Sequence, residues 1–435
     1  MQRSKWSLSP AQYSVLLSTA TSMFLWGVIA SIGPLAASGK LVSTLSSPFK
    51  VTVLLVGPLF LLLGDSTIGA MSDRLGRKSM FMLTMLSYGV GMMLIVLSTY
   101  LTSFLGLVIG LALSEYGIGG EEPPSLSLIT ETFSTDSRAF FLTFSTNFAN
   151  IGAAFISGLL LVMPSSGTAY VMLGTGVAIL VVLAAVRLGM PESYRWLKEK
   201  GRSDEAEKER SKLNIADEGI VIKHPGYLIP VIALILMGVS QYLTYGLMSF
   251  VIGPYEFKSV TFDEEIILYS NLGAAVGGVI AAYTINAFSR RFFALWTFLG
   301  GFLSTIAIAL LSNRLTDALV FFPLLFFNMV MSEFAWAARV TLEPESFPTK
   351  LRGTAIGLIR IFPIATYELS VYFTSNLSLL QYVMYNLVLW GIGVLGAGLW
   401  TVKGFETKNI SPDYESRSGL FLAFCFGFWR KPVGR

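Results

Sequence analysis

The residues able to do chemistry in this chain are acids and arginines placed where charge is costly. Asp65, Glu115, Glu121, Glu122, Glu333, Arg339, Arg360 and Glu368 all fall inside long apolar runs. Ionisable groups at such depth face a cavity or one another, and they mark pathways for ions, protons or charged solutes. Asp65 lies eight residues before Asp73, about 12 Å deeper along a helix at 1.5 Å per residue. Glu115 and Glu122 are seven residues apart and share a helical face, while Glu121 points about 100° away. Gly117, Gly119 and Gly120 thin that helix, and Pro123 and Pro124 interrupt it, so the freed backbone groups must line a cavity or be repacked. Acids at this depth can take up and release protons instead of carrying a permanent charge. Asp65, Glu121 and Glu122 are the candidate proton carriers, with a structural ion pair to Arg339 as the competing role for Glu121 or Glu333.

Trp336 precedes Arg339 by three residues and shares its face, a pairing suited to a carboxylate or phosphate beside a ring. Arg360 reaches a comparable depth, with snorkelling toward the surface as its alternative. Together these cations suit an anionic or zwitterionic solute. Trp26, Asn147, Asn150, Gln241, Tyr245 and Asn271 add amides and aromatic platforms. The rest of the inventory excludes other chemistry. A single His224 and a single Cys425 leave no metal-ligand set and no intrachain disulfide. No nucleophile with a base appears, so neither an enzyme nor a bound cofactor is expected.

The elements that position these residues follow from composition. The chain has 435 residues, 53% hydrophobic and 13% charged, with a mean hydropathy of +0.65. Such a chain is membrane-embedded rather than soluble. Apolar runs of about 20 residues recur near 14–38, 50–71, 79–100, 103–130, 139–163, 168–190, 226–252, 264–288, 292–312, 316–343, 353–375 and 378–402. They are too long for barrel strands, so the expected fold is all-α with twelve transmembrane helices. The first run is too long for a signal-peptide core and is expected to remain as a span.

Lys and Arg placement gives orientation. One set of connections carries only Lys40, Lys50, Lys258 and Arg314, and the other holds Arg74, Arg77, Lys78, Arg138, the 187–223 cluster, Arg290, Arg291, Lys350 and Arg352. Both termini are therefore expected in the cytoplasm of a cell-membrane protein. The net charge of +4 is too small to suggest nucleic acid.

Three charged features recur about 214 residues apart. Arg77-Lys78 matches Arg290-Arg291, Glu131 with Arg138 matches Glu345 with Arg352, and Glu192 matches Glu406. Two parallel six-helix halves follow: 1–190, a linker 191–225, 226–403, and a tail 404–435. The linker's Ser203–Lys212 portion has helical composition with Ser203 as its N-cap. Beyond Ser418 the tail is aromatic and basic, which suits an interfacial anchor or a partner-binding end.

Gly69-x-x-x-Asp73-Arg74-x-Gly76-Arg77-Lys78, Glu131-x6-Arg138, Pro191-Glu-Ser-Tyr-Arg195, Glu345 through Arg352-Gly-Thr354, and Glu406-Thr-Lys408 together resemble the major facilitator superfamily. The likeness runs from about 14 to 412 and is strongest to its sugar porters, organic ion transporters and metabolite/proton symporters. It implies two halves rocking about a midplane cavity. It also implies a cytoplasmic gate of Gly69, Asp73, Arg74, Gly76, Arg77, Glu131, Arg138, Glu192, Arg195, Arg290, Glu345 and Arg352. In that gate Asp73 is expected to take hydrogen bonds from a helix N-terminus and to pair with Arg138. The second half has Asn286 in place of the acid, so its side should be weaker. Glu121 matches the acid of the Gly-Gly-acid-x-Pro segment of metabolite symporters. Leu25 stands where proton-coupled sugar porters carry Asp, which argues against coupling in their manner. Gln241 matches one Gln of their Gln-Gln segment.

The expected activity is secondary transport of a small organic acid, zwitterion or similar charged metabolite, coupled to protons, by a monomer in the bilayer. A neutral sugar carrier is the alternative, and a non-transporting nutrient sensor a more distant one.

Overall fold

A computed structural model describes residues 7–37, 47–162, 180–215, 218–257 and 259–414. Among these residues eleven helices are long and apolar enough to cross a membrane, and a shorter apolar helix covers Leu180–Gly189. Numbered in chain order, they are α1 (Pro10–Ala30), α2 (Ser47–Leu75), α3 (Arg77–Tyr100), α4 (Phe104–Thr132), α5 (Arg138–Val162), α6 (Leu180–Gly189), α7 (Leu228–Glu256), α8 (Val260–Thr284), α9 (Arg290–Leu310), α10 (Ala318–Glu345), α11 (Arg352–Thr374) and α12 (Leu379–Lys403). The chain is a multi-pass, all-α membrane protein. The first part of the expected sixth span, Lys40, Lys258, Cys425 and the tail beyond Ser418 lie outside the described residues.

Local chemistry explains where these helices begin and bend. Ser9 and Gln12 cap α1 reciprocally, at 3.2 Å from Gln12 N to the Ser9 hydroxyl and 3.0 Å from Ser9 N to the Gln12 carbonyl, with Pro10 in the first turn. Ser103, Ser259, Ser289 and Asp317 open α4, α8, α9 and α10 by accepting a backbone N–H. Interior prolines interrupt α2 at Pro58, α4 at Pro123 and Pro124, α10 at Pro323, and α11 at Pro363. A π-turn at Leu247–Val251 interrupts α7. All of these helices contribute side chains to the cavities described below.

Within α1–α6, α4 packs on α2 and α3, and α1 packs on α5. Within α7–α12, α7 packs on α11 and α12, α8 on α10, and α9 on α10 and α12. Two seams join the groups, α2 with α11 and α5 with α8. At the first seam the backbones approach so closely that a Cβ on Gly69 would lie 2.6 Å from the Gly353 carbonyl, and one on Gly353 equally close to Gly69 O. Small residues are what allow such an approach between membrane helices.

The charged connections gather at one end. The linker forms helices at Tyr194–Glu199 and Ser203–Arg210. Ser203 is the first helical residue rather than the N-cap; Arg202 precedes it and is held by Glu205 at 2.5–2.7 Å. The linker is tied to the start of the tail by a bridge of Ile220 with Ile410. Arg187, which falls near the end of the sixth apolar run where the 187–223 basic cluster begins, is wholly buried inside α6. Its guanidinium meets an acid one helix away, and burial without such a partner would be prohibitive.

Candidate functional site

The site is built in layers along the helix axes, beginning at the charged end. Gly76, at φ +102°, makes the turn between α2 and α3, and a Cβ there would lie 2.5 Å from the Glu192 carboxylate. That carboxylate accepts from the first two N–H groups of α3, Arg77 at 3.0 Å and Lys78 at 3.1 Å. Burial raises its protonation range above the ordinary carboxylate value despite these bonds. The turn aims Arg77 inward, where it donates to Asp73 at 2.7 Å, to Glu131 at 3.0 Å and to the Thr349 carbonyl at 3.0 Å.

Asp73 accepts across the α2–α11 seam from Gly353 N at 3.2 Å and from Thr354 N and Oγ1, each at 2.7 Å. It thus caps the N-terminus of α11. The expected pairing of Asp73 with Arg138 does not occur. Arg77, one helical turn away, fills that place, while Arg138 donates to Glu345 at 2.8 Å and to the Thr407 carbonyl at 3.2 Å. A reciprocal pattern results. Arg352 reaches Glu131 across the seam as Arg138 reaches Glu345, and Arg290 serves Glu345 at 3.2 Å as Arg77 serves Glu131. Glu406 accepts from Arg290 N at 3.1 Å, echoing Glu192. Asn286 stands opposite Asp73 in this pattern, and its amide crosses to the Asp136 carbonyl at 3.0 Å. Arg195 pairs with Asp413, and Arg74 is exposed.

Deeper lies a sealed layer of charge. Glu343 on α10 accepts from Arg339 Nη2 at 2.9 Å and from Arg360 Nε at 2.9 Å. Arg360 also pairs with Glu122 on α4, and its Nη1 lies 3.8 Å from Asp65, both of whose carboxylate oxygens lack a hydrogen-bond partner. Arg339 Nη1 donates to Gln241 Oε1 at 2.7 Å. Both guanidiniums sit over the Trp336 ring, 5.0 and 5.2 Å from its centroid. The two deep cations expected to face a solute are therefore already neutralised by protein carboxylates. Glu343, which lies only two residues before Glu345 and so reads in sequence as part of the membrane boundary, is the partner missed.

Above this layer two small cavities adjoin and share Trp26, Tyr242 and Tyr245. The inner one is also lined by Glu122, Thr146, Ala149, Asn150, Gln241, Glu333 and Trp336. The outer one adds Glu115, Gly57, Pro58, Phe250 and Tyr367, among others. Glu115 and Glu122 thus share the cavity face. Glu121 does not line either cavity. It pairs with Arg187 and accepts from Thr84 Oγ1 at 2.5 Å, within the first group of helices. Its cavity-facing role is corrected by its direction on α4, about 100° from Glu122. Asn147 is also withdrawn from the lining. Its amide crosses the α5–α8 seam to the Ala275 carbonyl at 2.9 Å, and its carbonyl accepts from Asn150 at 3.0 Å. Asn271 supports from behind, accepting the Tyr245 hydroxyl at 2.6 Å.

Comparison with known proteins bears on the family and the fold. A family model described as Major Facilitator Superfamily matches residues 13–362. A putative metabolite transport protein of Escherichia coli, YaaU, is 33% identical over 155 residues, covering 35% of this chain and 34% of that protein. The match to it therefore spans about a third of that relative's length. A putative niacin/nicotinamide transporter of Bacillus subtilis, NiaP, is 26% identical over 69% of this chain and 72% of its own, and an E. coli shikimate transporter is 27% identical over 69% of each. Among solved structures, the proton:xylose symporter XylE bound to 6-bromo-6-deoxy-D-glucose superposes with a TM-score of 0.74 at 14% identity, over 92% of this chain and 97% of that one. At that identity the likeness is one of fold alone.

Proposed function

This chain belongs to the Major Facilitator Superfamily, and on that premise we propose that it is a proton-coupled secondary transporter of a small, ring-bearing, charged or zwitterionic organic solute. The charged end is read as cytoplasmic, with both termini there, in a monomer of the cell membrane. The observation that carries the reading is Arg360, which is held by Glu343 on its own group of helices and by Glu122 on the other, with Asp65, whose oxygens accept no hydrogen bond, forming a looser ion pair at 3.8 Å. A proton arriving on Glu122 or Asp65 releases Arg360 from the first group and weakens the link between halves. Coupling then needs no acid at Leu25.

The latch at the charged end and the cavities on its far side correspond to a state closed toward the cytoplasm. Opening would require breaking the Asp73–Thr354, Arg352–Glu131 and Arg138–Glu345 links together, as rocking of two halves demands. The halves are read as 1–190 and 226–403. Relatives named for niacin, shikimate, glucose and polyol transport support a small polar organic solute, and the buried charges beside the cavity are what favour a charged one over a sugar. A sugar carrier is further disfavoured because Gln241 Oε1 is already committed to Arg339.

The test is uptake into proteoliposomes with an imposed pH gradient, scanning niacin, shikimate and glucose. Gradient-driven accumulation that is lost in Asp65→Asn and Glu122→Gln is expected. Equal uptake with and without the gradient would remove proton coupling, and binding without flux would favour a sensor.

A further inference from the structure

The sealed charge layer has an arithmetic that bears on what the cavity selects. Arg339 and Arg360 are met by Glu343, Glu122 and, at 3.8 Å, Asp65, so the layer has no cation to spare. Glu333 is not balanced. It is 3% exposed, lines the inner cavity, and its Oε1 has no hydrogen-bond partner. Asn150 rests against the carboxylate, and among the described residues no cation pairs with it. Along α10 it stands six residues before Arg339, about 9 Å by helical rise, so the guanidiniums are in a separate layer.

From these observations we infer that the solute carries a protonated nitrogen and that Glu333 is its counter-ion. The rest of the wall fits that chemistry. Trp26, Tyr242 and Tyr245 present ring surfaces, which attract a cation as well as a flat ring. The face of Trp336 is taken by the two arginines, so the aromatic surface left to a solute is that of Trp26, Tyr242 and Tyr245, which line the same cavity as Glu333. The indole N–H of Trp26 is buried without an acceptor. A buried donor left unmade is costly, so the solute supplies an acceptor there, such as an ether, hydroxyl or carbonyl oxygen. A purely anionic solute would meet the Glu333 charge and would have to draw Arg339 or Arg360 away from Glu343 or Glu122. The class is thus a ring bearing a protonated nitrogen at one end and an oxygen acceptor at the other.

This inference rests on the cavity being the solute path, and its test is binding rather than flux. The full-length protein in lipid nanodiscs is titrated calorimetrically at pH 7 with 4-methoxybenzylamine, 4-methoxybenzyl alcohol and 4-methoxybenzoate, which share a ring and an ether acceptor and differ in charge. The amine is expected to bind at least about tenfold more tightly than the alcohol, about 1.4 kcal/mol, and the benzoate more weakly than either. In Glu333→Gln the amine should fall to the affinity of the alcohol, whereas Glu333→Asp should keep the preference. Trp26→Phe should weaken amine and alcohol by a similar factor. Tightest binding of the benzoate, equal binding of amine and alcohol, or no binding of any of them overturns the inference, as does an amine preference that survives in Glu333→Gln. Should Glu333→Gln fail to fold, the wild-type order and Glu333→Asp decide. Amine preference without flux would sink the transport reading and leave this inference standing; proton-driven flux with anion preference would do the reverse.

Discussion

Arg360 Nε donates to Glu343 Oε2 at 2.9 Å with both side chains sealed from solvent, and the same carboxylate accepts Arg339 at 2.9 Å through its other oxygen. One acid thus holds two guanidiniums from two helices at the base of the cavity. Burying such a cluster is tolerable only while every charge is paired, because the desolvation of an orphaned ion in this medium outweighs the attraction it has lost.

Removing that acid should therefore be expensive. Glu343→Gln leaves Arg339 and Arg360 without their shared counter-charge, and a destabilisation of about 3–5 kcal/mol is expected for breaking a buried pair. Thermal unfolding of the purified variant measures it. A melting temperature within a degree of wild type would show that the cluster is not a unit.

The latch makes a directional prediction. Asp73→Asn keeps the shape but removes the charge that caps α11 and faces Arg77. Charge-assisted bonds are roughly twice as strong as neutral ones, so the population open at the charged end should rise. A cysteine introduced at Ala149, on the inner cavity wall, in a Cys425→Ser background should then react several-fold faster with a thiol reagent applied from that end. Unchanged labelling would assign Asp73 to folding alone.

Glu121 and Glu122 adjoin in sequence but should behave oppositely. Glu121→Gln orphans Arg187, which is wholly buried and also bonded to Ser18 at 3.2 Å. It should lower stability by about 3–5 kcal/mol yet leave the ratio of uptake with and without a pH gradient unchanged. Glu122→Gln should abolish that ratio. The double variant Glu121→Gln/Arg187→Met should recover much of the lost melting temperature, since replacing both partners avoids a lone buried charge. A normal gradient response in Glu122→Gln would remove it from coupling.

His224 supplies the pH dependence. Its Nε2 faces the Ser346 carbonyl at 2.8 Å and its Nδ1 accepts from Gly226 N at 3.1 Å, an arrangement that only the neutral ring satisfies at both nitrogens. Burial pulls its protonation below the ordinary 6.5, opposed by the Ser346 carbonyl. The folded protein therefore resists the proton that the unfolded chain accepts below about 6.5. Stability from this group is present above that pH and is lost as pH falls toward the folded-state value. Melting temperature should drop further between pH 7.5 and 5.5 in wild type than in His224→Gln. An equal drop would place the acid sensitivity elsewhere.

Much of this architecture is legible in residue order alone. Hydrocarbon permits only helices and closed barrels, and runs this long are helices; the charged repeat matched Arg77 to Arg290, Glu131 to Glu345 and Glu192 to Glu406 without saying which of them pair. The shared face of Glu115 and Glu122 followed from helical periodicity. What periodicity cannot supply is the partner of a long side chain. Arg77 rather than Arg138 reaches Asp73, Arg187 near the end of the sixth run claims Glu121 from the fourth, and Glu343 hides beside Glu345. An arginine spans several ångströms on rotatable bonds, so its partner depends on which helices pack against its own and on how deep it sits. Residue order is enough to say where charge enters the membrane. Which charges cancel is set by the packing, because in a low-dielectric interior that depends on distances across helices far apart in the chain.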